Sequence, residues 1–287
     1  MLRVALIASL VVSGWAEARE GWSRDVRVVR RRARVAIAGL IAMGAVAAFT
    51  ALTGAWHIVL LGSTDVAAST WRLANTLREV GGLLELGLGL LAGVVFLRWL
   101  ARAVALAGEL DPVRGFSWTP SEAVLGFFIP VVNLVQPYRV LRDLHDGLAP
   151  EAVLEPAPRP LLDGGGGYRR VEMAHAPRAG AVHHAALGAW WGCYVASRGL
   201  GWLASTMPDL TVAEFIRSRY VFIASDAASI AAAWLAVRMI RAIDSRVAER
   251  HRRLAYASEE ELDQLLVERD IQLRRDMAKI ADFDDPA

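Results

Sequence analysis

Three ionisable residues stand inside otherwise apolar runs: Glu85, Arg198 and Asp226. A charge at bilayer depth is costly, so such residues face a bundle interior or a water-filled cavity and pair with one another. Counted from one end of their runs, they lie about five, eight and seven residues in. At a rise of ~1.5 Å per residue, these depths agree to within roughly 5 Å. The expected arrangement is a buried Glu85–Arg198–Asp226 cluster. Two chemistries fit it: a salt bridge pinning three helices, or a site for a proton or small solute.

A second group combines arginine with aromatic rings. Arg98, Arg102, Arg139 and Arg142 flank Trp99, Trp118 and Tyr138 around the run 122–135. Such mixtures suit the head-group layer of a membrane, where guanidinium groups meet anionic lipids; plain structural anchoring is the other reading. The run 122–135 holds about 14 residues, short of the ~20 needed to cross, which fits an interfacial or re-entrant segment. Pro130 removes an amide donor and kinks it, and Asn133 could donate to the freed carbonyls.

Other candidates carry less chemistry. His145 beside Asp146 is an isolated pair, and no Ser-His-Asp spacing, HExxH or nucleotide motif accompanies it. No enzyme, catalytic residue or cofactor is expected. Cys193 is the single cysteine and sits in an apolar run, which excludes an intramolecular disulfide and favours a small buried residue. His175, His183 and His184 lack acidic or cysteine partners, so no metal centre is expected. Gly164 through Gly167 lack the lysine-serine pair of a phosphate loop. A net charge of +2 with no recognition motif argues against nucleic acid.

The elements that would position these residues are membrane helices. Of the 287 residues, 55% are hydrophobic, above the range of an ordinary soluble domain. Mean hydropathy is +0.34. The apolar residues gather in runs at about 35–61, 80–100, 185–206 and 219–241, each near the ~20-residue spanning length. An all-α, four-helix transmembrane bundle follows. Trp56 and His57 end the first run, where amphipathic rings suit an interface.

Arginines crowd the segment before the first run (Arg24 to Arg34), the 98–184 loop and the region after the fourth run. The 62–79 and 207–218 loops hold few. By the positive-inside rule, both ends are cytoplasmic in a multi-pass protein of the cell membrane. The short run 4–15 admits four readings: an interfacial helix, an over-extended start, a secretory signal, or a fifth span.

Residues 1–34 thus form an N-terminal basic segment and 35–245 the membrane domain. Residues 148–184, rich in Pro and Gly, read as a flexible cytoplasmic linker. Residues 246–287 form a charged tail. In it Ser258 and Glu261 make a capping box, and Leu262, Leu266, Leu273, Met277 and Ile280 mark an amphipathic helix.

One stretch resembles a known family. It runs Phe96-Leu97-Arg98-Trp99-Leu100-Ala101-Arg102-Ala103, then Phe116 to Pro120, Gly126 to Leu134 and Gln136 to Arg139, and returns at Trp190-Trp191. This is similar to the bacterial membrane family called domain of unknown function 4328, over roughly 35–245. Glu122 departs from its usual small or apolar residue, and Val135 from an aromatic. The resemblance implies a four-helix membrane domain and no activity. It marks Arg98, Trp99, Arg102, Pro120, Phe128, Pro130, Asn133, Pro137, Tyr138, Arg139, Trp190 and Trp191 as the signature block.

Two functions compete. The first is a membrane scaffold or regulatory module, binding a protein partner through the C-terminal helix. The second is a transporter of a small solute, ion or lipid, using the charge cluster. A cavity reaching Glu85 would favour the second, while the lack of an evident inverted repeat weighs against it.

Overall fold

The computed structural model describes residues 2–110, 116–129, 132–148, 179–208 and 210–257, with side chains described from Glu17 onward except at 179–184. All regular structure among them is helical: α1 (Leu2–Leu61), α2 (Ala68–Glu109), α3 (Pro120–Leu125), a 3-10 turn at Val132–Leu134, α4 (Gln136–Gly147), α5 (Ala179–Thr206) and α6 (Val212–Tyr256).

Proline placement explains these lengths. None of the eleven prolines falls inside α1, α2, α5 or α6. Pro120 and Pro137 occupy first turns, where no amide donor is needed. α3 and α6 begin with reciprocal capping boxes, Thr119 with Glu122 and Thr211 with Glu214. Each box satisfies two amide donors that a helix start leaves bare.

α1, α2 and α6 are long and apolar enough to cross a bilayer, and they mark a membrane protein. They are 60, 42 and 45 residues long, at least twice the need. All of the surplus of α1, and part of that of α2 and α6, lies at one end, here called the basic end. The helices run across three of the expected segment bounds. α1 runs unbroken through residue 34, so the basic segment and the apolar run share one helix. α6 continues to Tyr256, so residues 246–256 extend a long helix and do not start a tail. α5 begins at Ala179, which moves His183 and His184 from the expected linker into a helix. Linker residues 149–178, Pro130 and the tail from Ser258 lie outside the described residues. α5 itself is not among the long apolar helices, because its tryptophans, glycines and Arg198 dilute its hydropathy.

α1 packs along α2 and α6, and α5 along α6; among the described residues α2 and α5 share no extended contact. The two ends of the bundle are built differently. At the basic end α1, α2, α4 and α6 enclose Val29, Trp99, Leu100, Leu141, Leu144, Ile243, Val247 and Leu254, all buried. Arginines tie this core to helix ends. Buried Arg250 donates from Nε to the carbonyl of Leu110 at 2.9 Å and from a terminal nitrogen to that of Gly147. Arg246 reaches the His145 carbonyl. Arg19 reaches that of Ala257 at 2.8 Å. These are the last carbonyls of α2, α4 and α6, which lack helical partners and carry the negative end of the helix dipole. At the other end Leu52, Leu83, Leu86, Leu90, Leu91 and Leu203 are exposed. That suits hydrocarbon, not water.

Candidate functional site: a cleft between the second and fifth helices

Because α2 and α5 stand apart, a cavity of about 420 Å³ opens between them. Small residues of α6 (Ser229, Ala232, Ala233, Ala236) form its back, with Leu40 and Met43 of α1 beside them. Gly89 and Gly93 of α2 line one wall, and a Cβ at either would meet nothing within 4 Å. The cavity exists partly because these side chains are missing. The lining is mostly apolar, with Glu85, Ser197, Arg198 and Ser229 among its polar groups.

Aromatic rings close the basic end of the cleft. Phe96 stands 6.3 Å from Trp190 and 6.0 Å from Phe127, centroid to centroid. Trp190 and Trp191 are 5.4 Å apart, and Tyr194 stacks on Trp191 at 5.1 Å. An elbow between α3 and α4 carries Phe127 and exposed Phe128 into this floor. Two bonds hold the elbow. Gln136 donates from Nε2 to the Glu122 carbonyl at 2.8 Å, and the Trp191 indole to the Leu134 carbonyl at 2.8 Å. Gly126 makes the fold-back feasible, since a Cβ there would stand 2.5 Å from Gln136 Cδ.

The expected three-charge cluster divides. Asp226 is 7% exposed and lies against the Thr50 hydroxyl, with Arg78 and Glu85 as its charged neighbours. Arg198 is absent from that group. It is exposed on the far side of the cleft, its guanidinium 6.0 Å from the Tyr194 ring, with no carboxylate at ion-pair distance among the described residues. Helix register is the reason. Gly81 brings α2 so close to α1 that a Cβ would stand 2.9 Å from Thr50 Cγ2, which sets Asp226 opposite α2. Depth along a run does not specify azimuth, and α5 turns Arg198 elsewhere. His57, expected at an interface, is buried, bonded to the Thr53 carbonyl at 2.9 Å and to Asn75 at 3.0 Å.

The described residues of the signature block fall into three groups. Phe128, Trp190 and Trp191 belong to the cleft floor and elbow. Asn133 also sits in the elbow, but its backbone amide bonds the Ile129 carbonyl at 2.7 Å, while its Oδ1 has no partner among the described residues. Trp99, Pro137 and Tyr138 pack in or against the basic-end core, and Arg102 pairs with Asp25. Arg98, Pro120 and Arg139 are exposed; the Arg98 carbonyl accepts from Arg32 at 3.1 Å. Arg142 pairs with adjacent Asp143 at 2.8 Å, and Asp143 also accepts from Trp118 at 3.0 Å. His145 is buried and bonds Asp146 at 3.0 Å. No metal-holding cluster occurs among the described residues.

Sequence reasoning passed over several of these residues. Thr119 and Glu122 have capping-box spacing, which was legible and explains Glu122: its carboxyl is held below the usual range by the Thr119 backbone and side-chain bonds. Arg78, Thr50, Gln136 and Arg250 carry no local signal, because each acts on a distant segment.

No curated protein and no solved structure matches the chain. A family model described as domain of unknown function (DUF4328) matches residues 62–245. The match begins after α1, later than the expected residue 35, although α1 packs on both α2 and α6. It takes in α2 to α5 and most of α6, with the cleft walls, its aromatic floor and the elbow, and the chain belongs to this DUF4328 family.

Proposed function

We propose that this protein holds an amphiphilic guest, drawn sideways from the bilayer, in the cleft between α2 and α5. It does so as a four-span protein of the cytoplasmic membrane, with both ends and the basic end in the cytoplasm. Arginine distribution supports the orientation. α5 supplies the fourth span, its 28 residues running beside α6. The carrying observation is the cleft itself: an apolar slot with charged residues at one end and an aromatic floor at the other. Glu85 and Phe96 are eleven residues apart on α2, or about 16 Å. That is close to half of the ~30 Å hydrocarbon core, the depth of one leaflet. An acyl chain fits such a slot, and its volume is in the usual ligand-pocket range. This favours the transport or lipid-recognition alternative, without catalysis or a cofactor.

The test is Gly93→Leu, which grows a side chain into the slot from a position where a Cβ meets nothing within 4 Å. Wild type reconstituted in nanodiscs of phosphatidylethanolamine and phosphatidylglycerol should retain lipid in native mass spectrometry. The variant should melt like wild type and retain less. Undiminished retention in a folded variant would sink the reading.

A scaffold reading draws on the basic-end core, with its arginine-rich surface, and on the amphipathic pattern of the tail. Exposed Arg98 and Arg139 suit anionic head groups, and the tail suits a protein partner. Deleting residues 258–287 should then release a co-purifying protein at fixed stoichiometry. If no such protein exists, that reading falls.

A further inference from the structure

We infer that the guest carries a zwitterionic head group, its ammonium seated at Glu85 and its phosphate at Arg198. This rests on the cleft reading above and names its ligand class. Glu85 on α2 and Arg198 on α5 both line the cleft, yet they do not reach ion-pair distance. Among the described residues Glu85 has no ion pair or hydrogen bond with a cation, and the nearby Arg78 is the charged neighbour of Asp226. Two opposite charges on opposite walls of an apolar slot call for a guest with both counter-charges. A purely anionic head group would face Glu85 with like charge, and a purely cationic one would face Arg198. The site selects by that repulsion as well as by attraction.

A third group supports the position. Ser229 is 2% exposed, lines the cleft, and its hydroxyl has no partner among the described residues. A buried hydroxyl without a bond is costly, and a guest oxygen would satisfy it. Ser197 beside it is already engaged, donating to the Tyr194 carbonyl at 2.8 Å. The polar seat is therefore Glu85, Arg198 and Ser229, with chains running toward Phe96 and Trp190.

The experiment reconstitutes the full chain in nanodiscs equimolar in phosphatidylethanolamine and phosphatidylglycerol, then reads retained lipid by native mass spectrometry. Wild type should retain the ethanolamine lipid about tenfold over the glycerol lipid, the ratio expected for one added charge contact. Glu85→Gln, nearly isosteric, should bring that ratio to about one while lipid is still retained. Arg198→Gln, at an exposed position, should lower retention of both lipids and serves if the first variant does not fold. Equal retention by wild type, preference for the glycerol lipid, or selectivity surviving in Glu85→Gln would overturn the head-group assignment and leave the cleft reading standing. No retained lipid at all would overturn both.

Discussion

The two ends of this molecule solve opposite problems with the same helices. At the basic end, leucine and isoleucine point inward, as in a water-soluble bundle, and buried Arg250 reaches helix-end carbonyls. Leu141 and Ile243 are fully buried there. Along the other end, Leu83 is 72% and Leu90 66% exposed, while the close contacts are made by glycine, alanine and serine. Burial follows the solvent. In hydrocarbon, leucine gains nothing by leaving the surface, so packing falls to small residues. In water, the same residue gains roughly 1.5–3 kcal/mol by burial. The polar groups divide likewise. Basic-end arginines satisfy helix-end carbonyls, whereas Glu85 and Arg198 face a cavity.

The largest effect is expected at Arg250. Replacing it by methionine leaves the carbonyls of Leu110 and Gly147 without their donors in a buried region, at about 1–3 kcal/mol each. The basic end should loosen, with faster hydrogen exchange in α4 and the end of α2, and the cleft half unchanged. Global loss of protection would mean the two ends are not separable.

Leucine truncation sharpens the contrast. Leu141→Ala should cost about 2–5 kcal/mol. Leu83→Ala, exposed on the apolar half, should stay within about 0.5 kcal/mol. Thermal melts in one detergent compare them, and equal costs would contradict the two-solvent account.

At the elbow between the ends, Gly126→Ala should cost about 1–3 kcal/mol, because the new methyl meets Gln136. Gln136→Ala should relieve part of that loss in a double-mutant cycle. Independent, additive effects would show that the contact does not hold the elbow.

The smallest effect is expected at Glu122. Its folded pKa lies below the unfolded value of about 4.3, so its capping contribution is present above that pH and lost as pH falls through the folded value. Glu122→Gln preserves the box in neutral form and should flatten this acid-side loss in a pH-dependent melt. An unchanged acid slope would remove Glu122 from the account.

Some of this was open to reading residue by residue. The long runs around Leu40, Leu90 and Ala232 announce helices of membrane character, and the 96–139 block announces the family. The continuity of α1 and α6 was harder to see, because arginine is a good helix former and does not stop a helix where the bilayer stops. The charge cluster was half legible. Spacing located Glu85 and Asp226 at similar depth, but Arg198 parts from them because depth along a run says nothing of azimuth. Gly126 and Gln136, ten residues apart, meet only because the elbow folds back.

By itself the sequence determined the solvent and the secondary structure: where apolar side chains accumulate, where proline and capping boxes start and stop helices, and where arginine is excluded. These are local free energies, summed over neighbours along the chain. Packing between helices set α2 and α5 apart, tied the ends of α2 and α4 through Arg250, and brought Glu85 and Arg198 to one cleft from opposite walls. Those outcomes depend on which small residues let which helices approach, and that is a property of pairs of helices rather than of any one run.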